Sequence, residues 1–169
     1  MNKDTIDYTL SLRAHRGLQI VELGVVLNDV GVKWPGYVDP YSILLKSLDH
    51  RPLDYWGDIL HGAKWSVFYP WSCSCGDAGC AGIWEGIYVK IRKYSVEWRI
   101  EKNTGYDFLP KRFYSFQRTQ YKTSLEDLKE KLYSLVIQYG NQVVVDCGYY
   151  EGDEKTLNDF LRYVEEKNK

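Results

Sequence analysis

Cys73, Cys75 and Cys80 fall within eight residues, Cys73-Ser-Cys75-Gly-Asp-Ala-Gly-Cys80, between two aromatic segments, 65–71 and 83–88. Three kinds of chemistry compete for such a loop. Zinc takes four thiolate or imidazole ligands, and Gly76, Gly79 and Gly82 would let a tight loop turn its sulfurs inward. Three ligands are local, the fourth would come from Cys147, His61 or His50, and the Cys-x-Cys-x4-Cys spacing lacks the paired Cys-x-x-Cys knuckles of zinc sites. A redox pair needs a thiol at a helix N-terminus, where the dipole lowers its pKa, and no helical pattern starts here. The third reading treats the cysteines as small apolar side chains filling a glycine-rich turn, and it is the favoured one. The expectation is therefore no cofactor, with zinc through Cys73, Cys75 and Cys80 as the alternative.

Other catalytic patterns are missing. The chain has three histidines, His15, His50 and His61, none in a closely spaced metal arrangement. There is no glycine-lysine-serine phosphate loop and no G-x-S-x-G elbow, and the loop glycines miss the dinucleotide fingerprint in spacing and context. A Cys80–His61 dyad would have to be assembled by folding. These residues point to binding, with no catalytic residues assigned.

Two segments suit binding. Asp146, Tyr149, Tyr150, Glu151, Asp153 and Glu154 combine carboxylates with tyrosines around Gly148 and Gly152, a composition that grips a basic protein partner. Its bland counterpart is a polar loop with Asp153 capping the last helix. Residues 61–122 carry ten Lys and Arg against five Asp and Glu, a surplus of +5. In an extended strand Tyr88, Lys90 and Arg92 share one face, a basic and aromatic strip able to stack on single-stranded nucleic acid. A solvated face with edge-protecting cations is the favoured explanation of that strip.

The elements that must position these residues are strands first and helices last. Ile6, Tyr8, Leu10 and Leu12 alternate with polar residues, and Gly17 separates them from Leu18–Leu27, which reads as a hairpin. Asp39-Pro40 followed by Tyr41, Leu44, Leu45 and Leu48 reads as a short helix. Further strands are expected over 64–69, 83–91, 94–101 and 111–118, with the cysteine loop joining neighbours. Thr123 and Glu126 form a capping box that opens a helix carrying Leu125, Leu128, Leu132, Leu135 and Tyr139, ended by Gly140-Asn141. Val143 to Val145 reads as a strand covered on both sides, and a last helix from Asp153 buries Leu157, Phe160, Leu161 and Val164. The order predicts an α+β fold: a largely antiparallel sheet of about five to seven strands with two or three helices, the longest ones C-terminal.

Composition sets the outer bounds. A chain of 169 residues is expected to form a single domain, 1–169, burying roughly 70% of its unfolded surface. Its 44% hydrophobic content and formal charge of -1 exclude the disordered class. Residues 1–12 lack the apolar core of a secretory signal, and no run of about 18 apolar residues appears, so a cytoplasmic location without membrane contact is expected.

This combination of size, strand content, tyrosine and tryptophan richness and absent catalytic signature resembles the immunity proteins of bacterial polymorphic toxin and contact-dependent growth inhibition systems. The segment Cys73-Ser-Cys75-Gly-Asp-Ala-Gly-Cys80-Ala-Gly82-Ile83 is also similar to a loop of uncharacterised bacterial proteins. The resemblance implies stoichiometric neutralisation of one cognate protein toxin by direct binding; separately, no small-molecule ligand is expected. The alternative is a zinc-stabilised nucleic-acid-binding module using the basic segment 88–122. One departure stands out: many immunity proteins are strongly acidic, whereas this chain is nearly neutral.

Overall fold

The computed structural model describes residues 3–34, 36–38, 43–44, 66–73, 78–145 and 155–167. The expected hairpin is present: β1 (Ile6–His15) pairs antiparallel with β2 (Leu18–Leu27) over ten unbroken pairs, from Ile6 opposite Leu27 to His15 opposite Leu18. Arg16 and Gly17 turn it with positive φ of 49° and 82°, as a tight hairpin turn requires. A two-residue strand, β3 (Val30–Gly31), returns onto β2.

Next come β4 (Tyr37–Val38), β5 (Ser66–Phe68), β6 (Trp71–Ser72), β7 (Ile87–Ile91), β8 (Ser95–Arg99) and β9 (Phe113–Gln117). The chain then forms helix α1 (Arg118–Tyr139), strands β10 (Val143–Val145) and β11 (Lys155–Thr156), and helix α2 (Leu157–Lys167). The expected helix around 41–48 lies outside the described residues apart from Ile43 and Leu44, both buried.

The α+β class and the C-terminal placement of two helices agree with the expectation, but the single large antiparallel sheet does not form. Among the described residues the strands divide into a five-stranded sheet, ordered β1-β2-β10-β11 with β3 on β2, a four-stranded sheet, β5-β7-β8-β9, and a β4-β6 ribbon. The first is mixed, because β10 runs parallel to β2, with Val144 opposite Ile20. β2 and β10 are separated by more than a hundred residues, and a connection of that length permits the parallel direction that a tight hairpin forbids.

The core gathers on the inner faces of both sheets. Trp98 is its centre, with the rings of Phe68, Phe116, Tyr114 and Tyr121 at 5.2, 5.0, 6.2 and 6.1 Å, all edge-on, the geometry the ring quadrupoles favour. A second aromatic group joins Trp71 to Tyr106 and Phe108, and Phe108 to Trp34.

Helix α1 starts at Arg118, five residues before the expected capping box, and its N-cap, Gln117, makes no side-chain cap bond. A cap contributes about 1 kcal/mol, whereas burying an aromatic ring contributes about 2–3 kcal/mol. The early start brings Tyr121, fully buried, against Trp98 and Phe116. The Arg118 N–H finds the Tyr94 carbonyl at 3.0 Å. The C-terminus follows the sequence: Gly140 caps at φ 58° with its N–H on the Val136 carbonyl. Helix α2 begins at Leu157, later than Asp153. Thr156 Oγ1 accepts the Asp159 N–H at 3.2 Å and donates to Asp159 Oδ2 at 2.7 Å, a reciprocal cap. Its expected stripe, Leu157, Phe160, Leu161 and Val164, is buried.

Candidate interaction surface

The six residues expected to bind a partner, Asp146, Tyr149, Tyr150, Glu151, Asp153 and Glu154, lie outside the described residues, as do Cys75, Cys147, His50 and His61. Of the cysteine loop, Cys73 is disulfide-bonded and Cys80 is exposed with its thiol retained. A disulfide sulfur is not a thiolate, so in this state Cys73 is withdrawn from any zinc ligand set. Among the described residues no three His, Cys, Asp or Glu side chains converge as metal ligands.

Around Cys80 the chain makes a tightly bonded turn. Ala81 and Ile83 donate to the Ala78 carbonyl at 3.0 and 2.9 Å, and Gly82 donates to Gly79 at 2.9 Å. Gly82 takes a positive φ of 79°, which a residue with a Cβ resists. The turn seats Ile83 in the core and leaves Trp84 72% exposed. The Trp84 N–H is tied to the Thr104 carbonyl at 3.1 Å, and Thr104 Oγ1 donates back to the Glu101 carbonyl at 2.9 Å. At Gly105 the two loops touch so closely that a Cβ would stand 2.2 Å from the Gly82 oxygen.

Three residues beyond Trp84 the chain enters β7 of the four-stranded sheet. Tyr88, Arg99 and Phe113 are consecutive cross-strand partners on β7, β8 and β9, so their side chains share a face. The Arg99 guanidinium lies 5.1 Å from the Tyr88 ring centre, a cation–π contact. Its Nε pairs with Glu101 at 3.1 Å. Burial, and then the nearby Glu85 and Glu101 carboxylates, raise the Tyr88 pKa, so its ring stays neutral. Phe113 completes the row at 51% exposure. Trp84, Arg99 and Phe113 thus stand on bonded backbone at one end of the sheet.

The expected basic strip is altered by these neighbours. Tyr88 is buried, and Arg92 is held by Glu97 at 2.6 Å. Along 88–122, Arg99 pairs with Glu101, Arg112 with Asp107, Lys111 with Asp4 and Lys122 with Glu126. Five of the nine cations of 88–122 thus have a carboxylate partner, two of these carboxylates, Asp4 and Glu126, coming from outside the basic segment, which lowers the potential offered to a phosphate backbone.

A second feature lies outside the sequence expectations. A polar cleft of about 490 Å³ opens where β1, the β2–β3 turn and the first half of α1 meet, lined by Asp7, Asp29 and Asp127 with Thr119, Thr123 and Gln120. Gln120 fixes its floor: Nε2 donates to the Ile6 carbonyl at 2.5 Å, and Oε1 accepts the Ile6 N–H at 3.5 Å. No cation is among its lining residues, so the three carboxylates set a negative local potential. The one trace in the sequence is a polar stripe, Thr119, Thr123 and Asp127, spaced four apart on the helix.

No helix among the described residues is long and apolar enough to cross a membrane. No protein-family model matches the chain, and comparison with curated proteins and with solved structures finds no match.

Proposed function

We propose that this chain is a binding protein, most concretely an immunity protein that neutralises a cognate protein toxin by direct contact. The observation that supports it is the end of the four-stranded sheet, where Phe113 is exposed as the cross-strand partner of Arg99, and the turn before β7, where Trp84 is exposed. Trp, aromatic neighbours and Arg on pre-ordered backbone are the composition that carries binding energy at protein interfaces, at little ordering cost. The acidic cleft would attract a basic partner and steer its approach.

The test is capture and protection. The purified chain, offered the product of a neighbouring toxin gene, forms a one-to-one complex, and co-expression rescues growth. Loss of both in Trp84→Ala and Phe113→Ala variants of unchanged stability would assign the surface. A chain that neither captures nor protects against any neighbouring product would defeat the proposal.

A further inference from the structure

We infer that two copies of this chain associate through β1, antiparallel about a two-fold axis at Leu12, joining their five-stranded sheets into one continuous sheet. This goes beyond toxin binding and does not depend on it.

The inference begins with the direction of the backbone groups. The Thr5 carbonyl faces β2, accepting the Asn28 N–H at 3.0 Å. The alternation of a strand therefore turns the even-numbered groups away from β2. The first of them are occupied. The Asp4 N–H donates to the Ser115 carbonyl at 3.0 Å, Gln120 takes both groups of Ile6, and Lys131 Nζ donates to the Tyr8 carbonyl at 3.3 Å. Beyond Tyr8 no bond from the helix to an outward group of the strand is found among the described residues. The outward N–H and C=O groups of Leu10, Leu12 and Ala14 meet no partner among the described residues, on the outermost strand of the sheet.

An open edge of this kind templates another strand. The usual defences are missing from it. The ten β1–β2 pairs keep one register without a bulge. No proline interrupts residues 10–14, and their one charge, Arg13, is turned across the sheet onto Glu22 at 2.6 Å.

Self-pairing is the occupant that this edge fits. With Leu12 opposite its own copy, Leu10 faces Ala14 of the second copy, and the inward side chains meet as an apolar row. Leu10 and Leu12 are already half-buried against their own core. On the other face Ser11 stands opposite Arg13 and Thr9 opposite His15, so no like charges are directly paired. The two Arg13 side chains lie diagonally, each neutralised by its own Glu22. Each outward donor from Leu10 to Ala14 then meets an outward acceptor, which matches a closed two-fold contact.

The test uses the full chain. Sedimentation over a concentration series is expected to show a monomer–dimer equilibrium. The Leu10, Leu12 and Ala14 amides should exchange with deuterium more slowly as concentration rises. Leu12→Pro and Ala14→Pro each delete outward donors that the chain's own sheet does not use. Each is expected to weaken the dimer by ~100-fold or more, with circular dichroism unchanged. If one variant unfolds, the other reads the same contact. A chain that stays monomeric at every concentration, with fast exchange at those three amides, would overturn the inference. So would a dimer that survives in a folded proline variant, or edge amides protected only when a different protein is added.

Discussion

Asp4 is bonded twice to Ser115, 111 residues further along the chain: its N–H donates to the Ser115 carbonyl at 3.0 Å, and its Oδ2 accepts the Ser115 N–H at 2.9 Å. The same carboxylate accepts from Asn28 at 2.9 Å and pairs with Lys111 at 2.5 Å. This one residue occupies both backbone groups of Ser115 on the β9 edge and ties the start of the hairpin to the four-stranded sheet. The contrast is direct with β1 from Leu10 to Ala14, whose outward groups meet no partner among the described residues.

That arrangement predicts a pH dependence. Burial alone would raise the Asp4 pKa, but the hydrogen bonds from Lys111, Ser115 and Asn28, with the Lys111 charge, outweigh it and hold the carboxyl below its usual range. A depressed folded pKa contributes stability above the unfolded value of about 3.9 and loses it as pH falls through the folded value. Asp4→Asn is expected to cost about 2 kcal/mol at neutral pH. The gap from wild type should shrink below about pH 4, as measured by denaturant midpoints across pH. A gap constant down to that range would contradict the assignment.

Tyr106 predicts a gain. Its ring is fully buried and its hydroxyl is without a hydrogen-bond partner among the described residues; burial drives its pKa far up. An unsatisfied buried hydroxyl costs free energy that phenylalanine does not. Tyr106→Phe is therefore expected to raise stability by about 1 kcal/mol in urea unfolding, and a loss of that size would mean the hydroxyl is bonded.

Gly105 predicts a loss. Its φ is 94°, and a Cβ there meets the Gly82 oxygen at 2.2 Å and the Ile83 Cα at 2.8 Å, backbone in both cases. Gly105→Ala should destabilise by about 2 kcal/mol or more. The Trp84 fluorescence should change as the paired loops separate. A neutral effect on both would show that the two loops can part freely.

Trp84 and Phe113 predict a separation of binding from stability. At 72% and 51% exposure they contribute little to folding. Alanine at either site is expected to shift stability by less than about 0.5 kcal/mol, while weakening toxin capture at least ~10-fold. Calorimetric titration of each variant against the captured toxin checks both halves.

Elements whose pattern is local are legible in the residue order alone. The β1–β2 hairpin follows from two alternating runs around Gly17, the buried stripe of α2 from Leu157, Phe160, Leu161 and Val164, and the end of α1 from Gly140. The start of α1 is not, because the cap at Thr123 competes with the burial of Tyr121 against Trp98, and that partner arrives from another strand. The candidate surface is legible only in composition. Nothing near Trp84 announces that Thr104 anchors it, and Asp7, Asp29 and Asp127 are brought to one cleft from three separate segments.

By itself, then, the amino-acid order determined the β1–β2 hairpin, the presence of the two C-terminal helices and the apolar stripe of each, since side-chain periodicity acts over a few residues. Tertiary structure alone decided that the strands divide between sheets, that β10 runs parallel to β2, which cations of 88–122 are paired, and which outward groups of β1 are bonded among the described residues. Those outcomes depend on contacts between residues tens to more than a hundred positions apart, where packing and pairing select among arrangements that local preference leaves equivalent.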